Sequence, residues 1–185
     1  MKLAFVGPPA VGKDALANYI EQKYKIKHIS SGDIIRKYVK DNNLGDLTRE
    51  NLQKVGNALR AEQGADVLVR IAFEETTDDL IVSGLRAIGE VETFKKLGGI
   101  VVSITAPLET RYEFAKVRRR ISDSVSFEEF KKIEGSERVS TDENGQNVDM
   151  VVSMADIELV NDGSLEELFI KCDEVILKLK NEKLS

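Results

Sequence analysis

Short apolar runs alternate along the chain with stretches whose apolar residues return at helical spacing. Leu3-Ala4-Phe5-Val6, Leu80-Ile81-Val82 and Ile100-Val101-Val102-Ser103-Ile104 are near-continuous, as strands buried on both faces are. Lys27-His28-Ile29-Ser30 and Ile157 to Val160 are shorter and β-like. Between them, helical patterns run from about Lys13 to Tyr24 and from Ser31-Gly32-Asp33 through Ile34, Ile35, Tyr38 and Val39. Further ones carry Leu52, Val55 and Leu59, then Val67, Leu68, Ile71 and Ala72, then about Gly89 to Leu97, and then Tyr112, Phe114 and Val117.

Turn and cap chemistry divides these elements. Asn42 to Asp46 is a turn, Thr48 caps the next helix, and Gly64 ends it. Gly98-Gly99 stops the helix before the fourth strand, and Pro107 suits the first turn after it. Ser126 with Glu129, and Ser164 with Glu167, read as capping boxes. Strands that alternate with helices predict an α/β fold: a three-layer sandwich with a five-stranded parallel sheet and helices on both faces. Ligands of such sheets bind beyond the carboxyl ends of the strands. Gly7, Ser30-Ser31, Ser83-Gly84, Thr105 and Asn161 all lie at those ends.

At 185 residues the chain is expected to be one domain, with a helical insertion at about 31–77 and a lid at about 118–148, its most charged and least strand-like part. A net charge of −5 argues against nucleic acid as a partner, so an anionic ligand needs a local cluster of Arg and Lys. No apolar run approaches the ~20 residues that cross a bilayer. The first residues read as a strand, so no signal peptide is expected, and the expected location is cytoplasmic. Cys172, the single cysteine, has the spacing of a core helix position with Phe169, Ile176 and Leu179. The single His28 reads as a surface or strand-edge residue.

The candidate chemistry gathers on Gly7-Pro8-Pro9-Ala10-Val11-Gly12-Lys13-Asp14-Ala15, between the first strand and the first helix. Glycines allow the loop to turn its N–H groups inward, the helix aims its N-terminus at the same point, and Lys13 adds a full charge. That is the context of a phosphate-binding loop. The pattern calls for Ser or Thr after the lysine, and Asp14 stands there instead. A plain glycine turn with Asp14 as an ordinary first-turn acid is the bland alternative. It leaves the agreement of loop, lysine, strand and helix unexplained.

With these motifs the chain resembles the P-loop nucleoside monophosphate kinases. Ser31-Gly32-Asp33-Ile34-Ile35-Arg36 is similar to the adenylate-kinase segment that opens the acceptor site, and Ser83-Gly84-Leu85-Arg86 to the Asp-Gly-x-Pro-Arg segment after the third strand. Ala155 to Ser164 resembles the last strand and turn of dephospho-coenzyme A kinases. Gly84-Leu85-Arg86 followed by Glu90-Val91-Glu92-Thr93-Phe94 resembles archaeal adenylate-kinase-related proteins.

The resemblance implies a kinase that moves the γ-phosphoryl group of ATP, with Mg²⁺, to a nucleoside or deoxynucleoside monophosphate. Its implied nucleotide-binding residues are 7–15 and Asn161. Those for the acceptor are Ser31, Gly32, Asp33, Arg36, Gly84 and Arg86. Lys13, Arg86, Arg118 and Arg120 are the candidate catalytic residues, with Arg119 between the last two. Such transfer needs aligned phosphates and cancelled repulsion rather than covalent help, which suits guanidinium groups. Arg60 and Arg70 read as helix surface, and Arg111 fits either role. Asp14 and Ser83 reverse the family's hydroxyl and acid, so they are expected to serve one Mg²⁺ with the two groups exchanged. The rival is a decayed site in which the acid repels the phosphate. Two other functions remain: phosphorylation of a ribose hydroxyl, as in dephospho-coenzyme A kinases, with Asp33 as base, and a nucleotide-binding ATPase or switch without a small acceptor.

Overall fold

A computed structural model describes residues 1–76, 79–118, 126–138 and 147–182. Five strands, β1 (Lys2–Val6), β2 (Lys27–Ser30), β3 (Leu80–Ser83), β4 (Ile100–Thr105) and β5 (Ile157–Val160), form one sheet in the order β2-β3-β1-β4-β5. Every pairing is parallel. The registers Phe5↔Ser83, Ser30↔Ser83 and Val6↔Ser103 bring the strand ends to one edge.

Successive residues of a strand point to opposite faces, and each face has its own core. Leu3, Phe5, Ile81, Val102 and Ile104 pack with Leu16 and Ile20 of α1 (Lys13–Tyr24) and Leu168, Cys172 and Ile176 of α9 (Leu165–Glu182). Ala4, Val6, Leu80, Val82 and Val101 pack with α4 (Val67–Glu74), α5 (Ile88–Lys96) and α8 (Val148–Ser153). The predicted three-layer sandwich with a five-stranded parallel sheet is therefore the observed architecture. Burial pushes the Cys172 thiol up to about 12, so it remains protonated in the core.

Three helices form the insertion between β2 and β3: α2 (Ser31–Asp41), α3 (Arg49–Gln63) and α4. Thr48 caps α3, accepting the Asn51 N–H at 3.3 Å, and Gly64 ends it at φ 102°. Ile35, Val39, Val55, Leu59 and Leu68 make their shared core. Toward the other edge lie α6 (Leu108–Arg118) and α7 (Phe127–Arg138), where Phe130 packs against Ala115 and Ala10. Both capping boxes form: Ser126 and Ser164 donate backbone N–H groups to Glu129 and Glu167 at 2.8 and 2.9 Å. The helix α8 was not expected. Its apolar run is too short to show a helical period, and Asn147 starts it by accepting the Met150 N–H. Among the described residues no helix is long and apolar enough to cross a membrane.

Arg70 lies on the surface as expected, beside Asp66. Arg60 does not. It is 1% exposed, and its Nε donates to Glu90 Oε1 at 2.8 Å, with Glu90 at 0%. The other oxygen of Glu90 accepts the backbone N–H groups of Arg86 and Ala87 at 2.7 and 3.0 Å. Helical spacing counted Arg60 as polar and outward. The start of α5 instead supplies a carboxylate that needs a cation inside. Removing one partner of a buried pair strands the other charge. Arg60→Met is therefore expected to lower the unfolding free energy by about 3–5 kcal/mol in urea titrations, whereas Arg70→Ala changes it by less than about 0.5 kcal/mol.

Candidate active site

The loop after β1 follows from three unusual backbone angles: φ is 133° at Gly7, 60° at Ala10 and 95° at Gly12. A Cβ on Gly7 would lie 2.1 Å from the Ile104 carbonyl oxygen, so β4 leaves the loop no room for a side chain there. Gly12 stands at the N-terminus of α1, which no side chain caps, and the first N–H groups of the helix face the loop. Lys13 is buried to 8% exposure, and its Nζ donates to the carbonyls of Gly7 at 2.9 Å and Pro8 at 2.6 Å. The ammonium thus lies across the loop. Asn161, just beyond β5, binds Val11 O through Nδ2 at 3.0 Å and donates its own N–H to Thr105 O at 2.8 Å. Its side chain bonds the loop backbone, so Asn161 holds the loop in shape.

The acceptor-side candidates follow β2 and β3 along the chain, and two of them, Ser31 and Gly84, are in contact. Ser31 is buried and donates its hydroxyl hydrogen to Gly84 O at 2.7 Å, so that hydrogen ties the start of α2 to the residue after β3. Gly84, at φ 84°, brings its backbone close enough for this bond. Arg36 Nη1 pairs with Asp33 Oδ1 at 2.6 Å, one helical turn away, next to Gly32. Arg86 is held by its backbone: its N–H bonds Glu90, and its carbonyl accepts the Asn147 N–H at 2.8 Å.

Asp14 and Ser83, distant in sequence, stand 3.4 Å apart, Oδ1 to Oγ. Ser83 is 0% exposed, while Asp14 is half-buried and is the oxygen donor nearer solvent. Sequence reasoning missed their neighbour. His28 does lie on an edge strand, but its Nε2 is 2.9 Å from Ser83 Oγ and its Nδ1 is 3.2 Å from Asn18 Oδ1. Burial lowers the affinity of the imidazole for a proton, and the charges of Asp14, Glu21 and Asp33 oppose that in part. The signal for His28 lies in the strand register alone, which sets Ser30 against Ser83 and turns the imidazole toward α1.

A cleft of 230 Å³ adjoins the loop at Pro8 and Pro9, with Thr105, Arg111, Glu134 and Asp149 in its wall. Arg111 serves the fold there: it donates to Ala106 O at 2.9 Å and stands 2.6 Å from Glu134, and both residues are buried. Arg118 ends α6. Arg119 and Arg120 lie outside the described residues, as do residues 121–125 and 139–146 of the lid expected at 118–148. Among the described residues no group of three or more His, Cys, Asp or Glu side chains is set to hold a metal ion. A hard cation here would take oxygen from Asp14, with the Ser83 hydroxyl beside it. The donor types fit Mg²⁺, which commonly takes one or two protein oxygens and completes its shell with phosphate and water.

Comparison with known proteins agrees with this geometry. The family model described as an AAA domain matches residues 6–134. A UPF0200 protein of Hyperthermus butylicus is 32% identical over 181 residues, covering 95% of this chain and 93% of that one. A UPF0200/UPF0201 protein of Archaeoglobus fulgidus is 33% identical over 186 residues, and the chain spans 55% of its length. Among solved structures, shikimate kinase from Aquifex aeolicus aligns with TM-score 0.58 and 21% identity over 100% of this chain and 99% of its own. TT1252 from Thermus thermophilus aligns with TM-score 0.64 and 16% identity over 97% of each. These likenesses establish a P-loop kinase-like fold.

The close approach at Gly7 has a measurable consequence. Gly7→Ala combines a positive φ with a backbone clash and is expected to cost about 2–3 kcal/mol or more, with loss of fluorescent-nucleotide binding. At Gly98, φ is 77° and nothing lies within 4 Å of an added Cβ. Gly98→Ala should cost only about 1 kcal/mol and leave nucleotide binding intact.

Proposed function

The chain belongs to the AAA domain family and to the UPF0200 proteins, and from that premise we propose that it is an ATP-dependent phosphotransferase acting on a nucleoside or deoxynucleoside monophosphate. The observation that supports this reading is the loop at the head of α1 with Lys13 across it; Arg36, paired with Asp33 on α2, and Arg86, after β3, are the residues we assign to the acceptor. The inward N–H groups and Lys13 hold the β- and γ-phosphates of ATP. Asn161 and the packing at Gly7 keep that cradle from changing shape.

Arg36 and Arg86 neutralise the acceptor phosphate and bring its oxygen into line with the γ-phosphorus. A monophosphate is already an anion, so no base is needed to take a proton from it. Gly32 and Gly84 let the backbone approach the acceptor. Ser31 holds the two strand ends together through Gly84, and Asp33 orients Arg36. Arg118 and Arg120 are assigned from the sequence to neutralising the transferring group. Positioned arginines of this kind contribute about 10³–10⁵ in rate. Mg²⁺ held by Asp14, with Ser83 adjacent, supplies further neutralisation of the polyphosphate.

One assay separates this reading from its rivals: ATP with a pool of nucleoside monophosphates and dephospho-coenzyme A, products read by mass. A nucleoside diphosphate is the expected product. Arg36→Ala should raise the acceptor KM at least about tenfold with the KM for ATP unchanged, and Asp33→Asn should keep activity. A phosphorylated ribose hydroxyl as sole product, abolished by Asp33→Asn, would place the activity with dephospho-coenzyme A kinases. ATP hydrolysis indifferent to every acceptor would mark an ATPase or switch. The cation assignment has its own check: Asp14→Ser with Ser83→Asp should be more active than either single variant, and a double variant no better than the singles sinks the exchange.

A further inference from the structure

We propose that His28 is a positioning residue of the cation site, turning the Ser83 hydroxyl so that its oxygen faces Asp14 as a second donor. This rests on reading Asp14 and Ser83 as the oxygen pair that serves the cation. Ser83 has one hydroxyl hydrogen and two acceptors in reach, His28 Nε2 at 2.9 Å and Asp14 Oδ1 at 3.4 Å. Hydroxyl hydrogen bonds centre near 2.7–2.8 Å, so the nearer nitrogen is the stronger partner.

The far side of the ring decides whether that nitrogen can accept. Asn18 Oδ1 stands 3.2 Å from Nδ1. With the Asn18 amide oxygen toward the ring, the tautomer that satisfies both contacts carries its hydrogen on Nδ1, and Nε2 then presents its lone pair to Ser83. With the hydrogen committed to His28, the serine oxygen directs a lone pair at the carboxylate. Two oxygen lone pairs at 3.4 Å repel unless positive charge lies between them, and that is the electronic arrangement of a hard-cation site.

The helix closes the circuit. Asp14 and Asn18 are four residues apart on α1 and so share a face. One braces the far nitrogen of the imidazole, and the other is the cation's carboxylate. The imidazole and the hydroxyl come from β2 and β3, whose register puts Ser30 opposite Ser83. An acid after the loop lysine needs a hydroxyl in the right rotamer across from it, and His28 selects that rotamer.

The test reads cation affinity directly. Mn²⁺ binding to the full chain with a non-hydrolysable ATP analogue is followed by the electron paramagnetic resonance of the free ion, and the melting temperature of each variant is measured alongside. His28→Leu removes the acceptor and should weaken Mn²⁺ about tenfold, as loss of an outer-shell partner does. Ser83→Ala should match it, and the double variant should be no weaker than either. His28→Gln, whose side-chain carbonyl can take the hydroxyl hydrogen, should recover most of the affinity. Unchanged Mn²⁺ affinity in His28→Leu, additive losses in the double variant, or a His28→Gln as weak as His28→Leu would overturn the role of His28 while Asp14→Ala still abolishes binding. If Asp14→Ala leaves Mn²⁺ binding untouched, the cation assignment falls, and the role of His28 falls with it.

Discussion

The loop between β1 and α1 is confined by the β4 backbone and by the Asn161 side chain, and the rest of the site depends on that confinement. The Ile104 carbonyl sits where a side chain on Gly7 would be, and Asn161 grips Val11 through its side-chain amide. Both contacts come from the β4–β5 side of the sheet. The loop therefore holds its shape only while β1, β4 and β5 stay in register. Lys13 then has little freedom: its stem is buried, and its ammonium rests on the loop carbonyls. A cradle built from main chain is insensitive to side-chain motion, which suits a ligand whose recognised part is a charged polyphosphate.

On the other side of β1, Glu90 organises the segment after β3 and the helical insertion. One carboxylate oxygen fixes the backbone of Arg86 and Ala87, and the other draws Arg60 of α3 into the interior. Gly89 packs so closely on Ala65 that an added Cβ would stand 2.8 Å from the Ala65 Cβ. The helices of the insertion are thus joined to the segment that bears Arg86 by charge and by close packing. An ion pair this deeply buried adds little net stability over apolar residues of the same size. Its directional bonds define one relative placement of α3 and α5.

Polar groups at the strand ends form linked sets instead of isolated side chains. Ser31 joins β2 to Gly84, and His28 joins β2 to Ser83 and Ser83 to α1. The links through Ser31 and Ser83 satisfy hydroxyls that burial would otherwise leave without a partner. The same links set the direction in which each lone pair and hydrogen points.

The amino-acid sequence alone determined the alternation of strands and helices, the five-stranded parallel sheet, the glycine-bounded loop and the identity of Lys13 as its cation. It also placed Thr48, Ser126 and Ser164 as caps. These are properties of neighbours along the chain: side-chain period, turn residues and cap spacing all act within a helical turn or a strand. It misread Arg60 as surface, gave His28 no work, missed α8, and did not foresee that the Ser31 hydroxyl bonds Gly84. Tertiary structure decided Arg60, His28 and Ser31, because each depends on a partner far along the chain: Arg60 on a residue 30 positions away, His28 on one 55 away, Ser31 on one 53 away. Whether a polar side chain faces water or a buried partner is settled by strand register and helix packing, and no local pattern of residues encodes the distance between two elements that meet only in the folded chain.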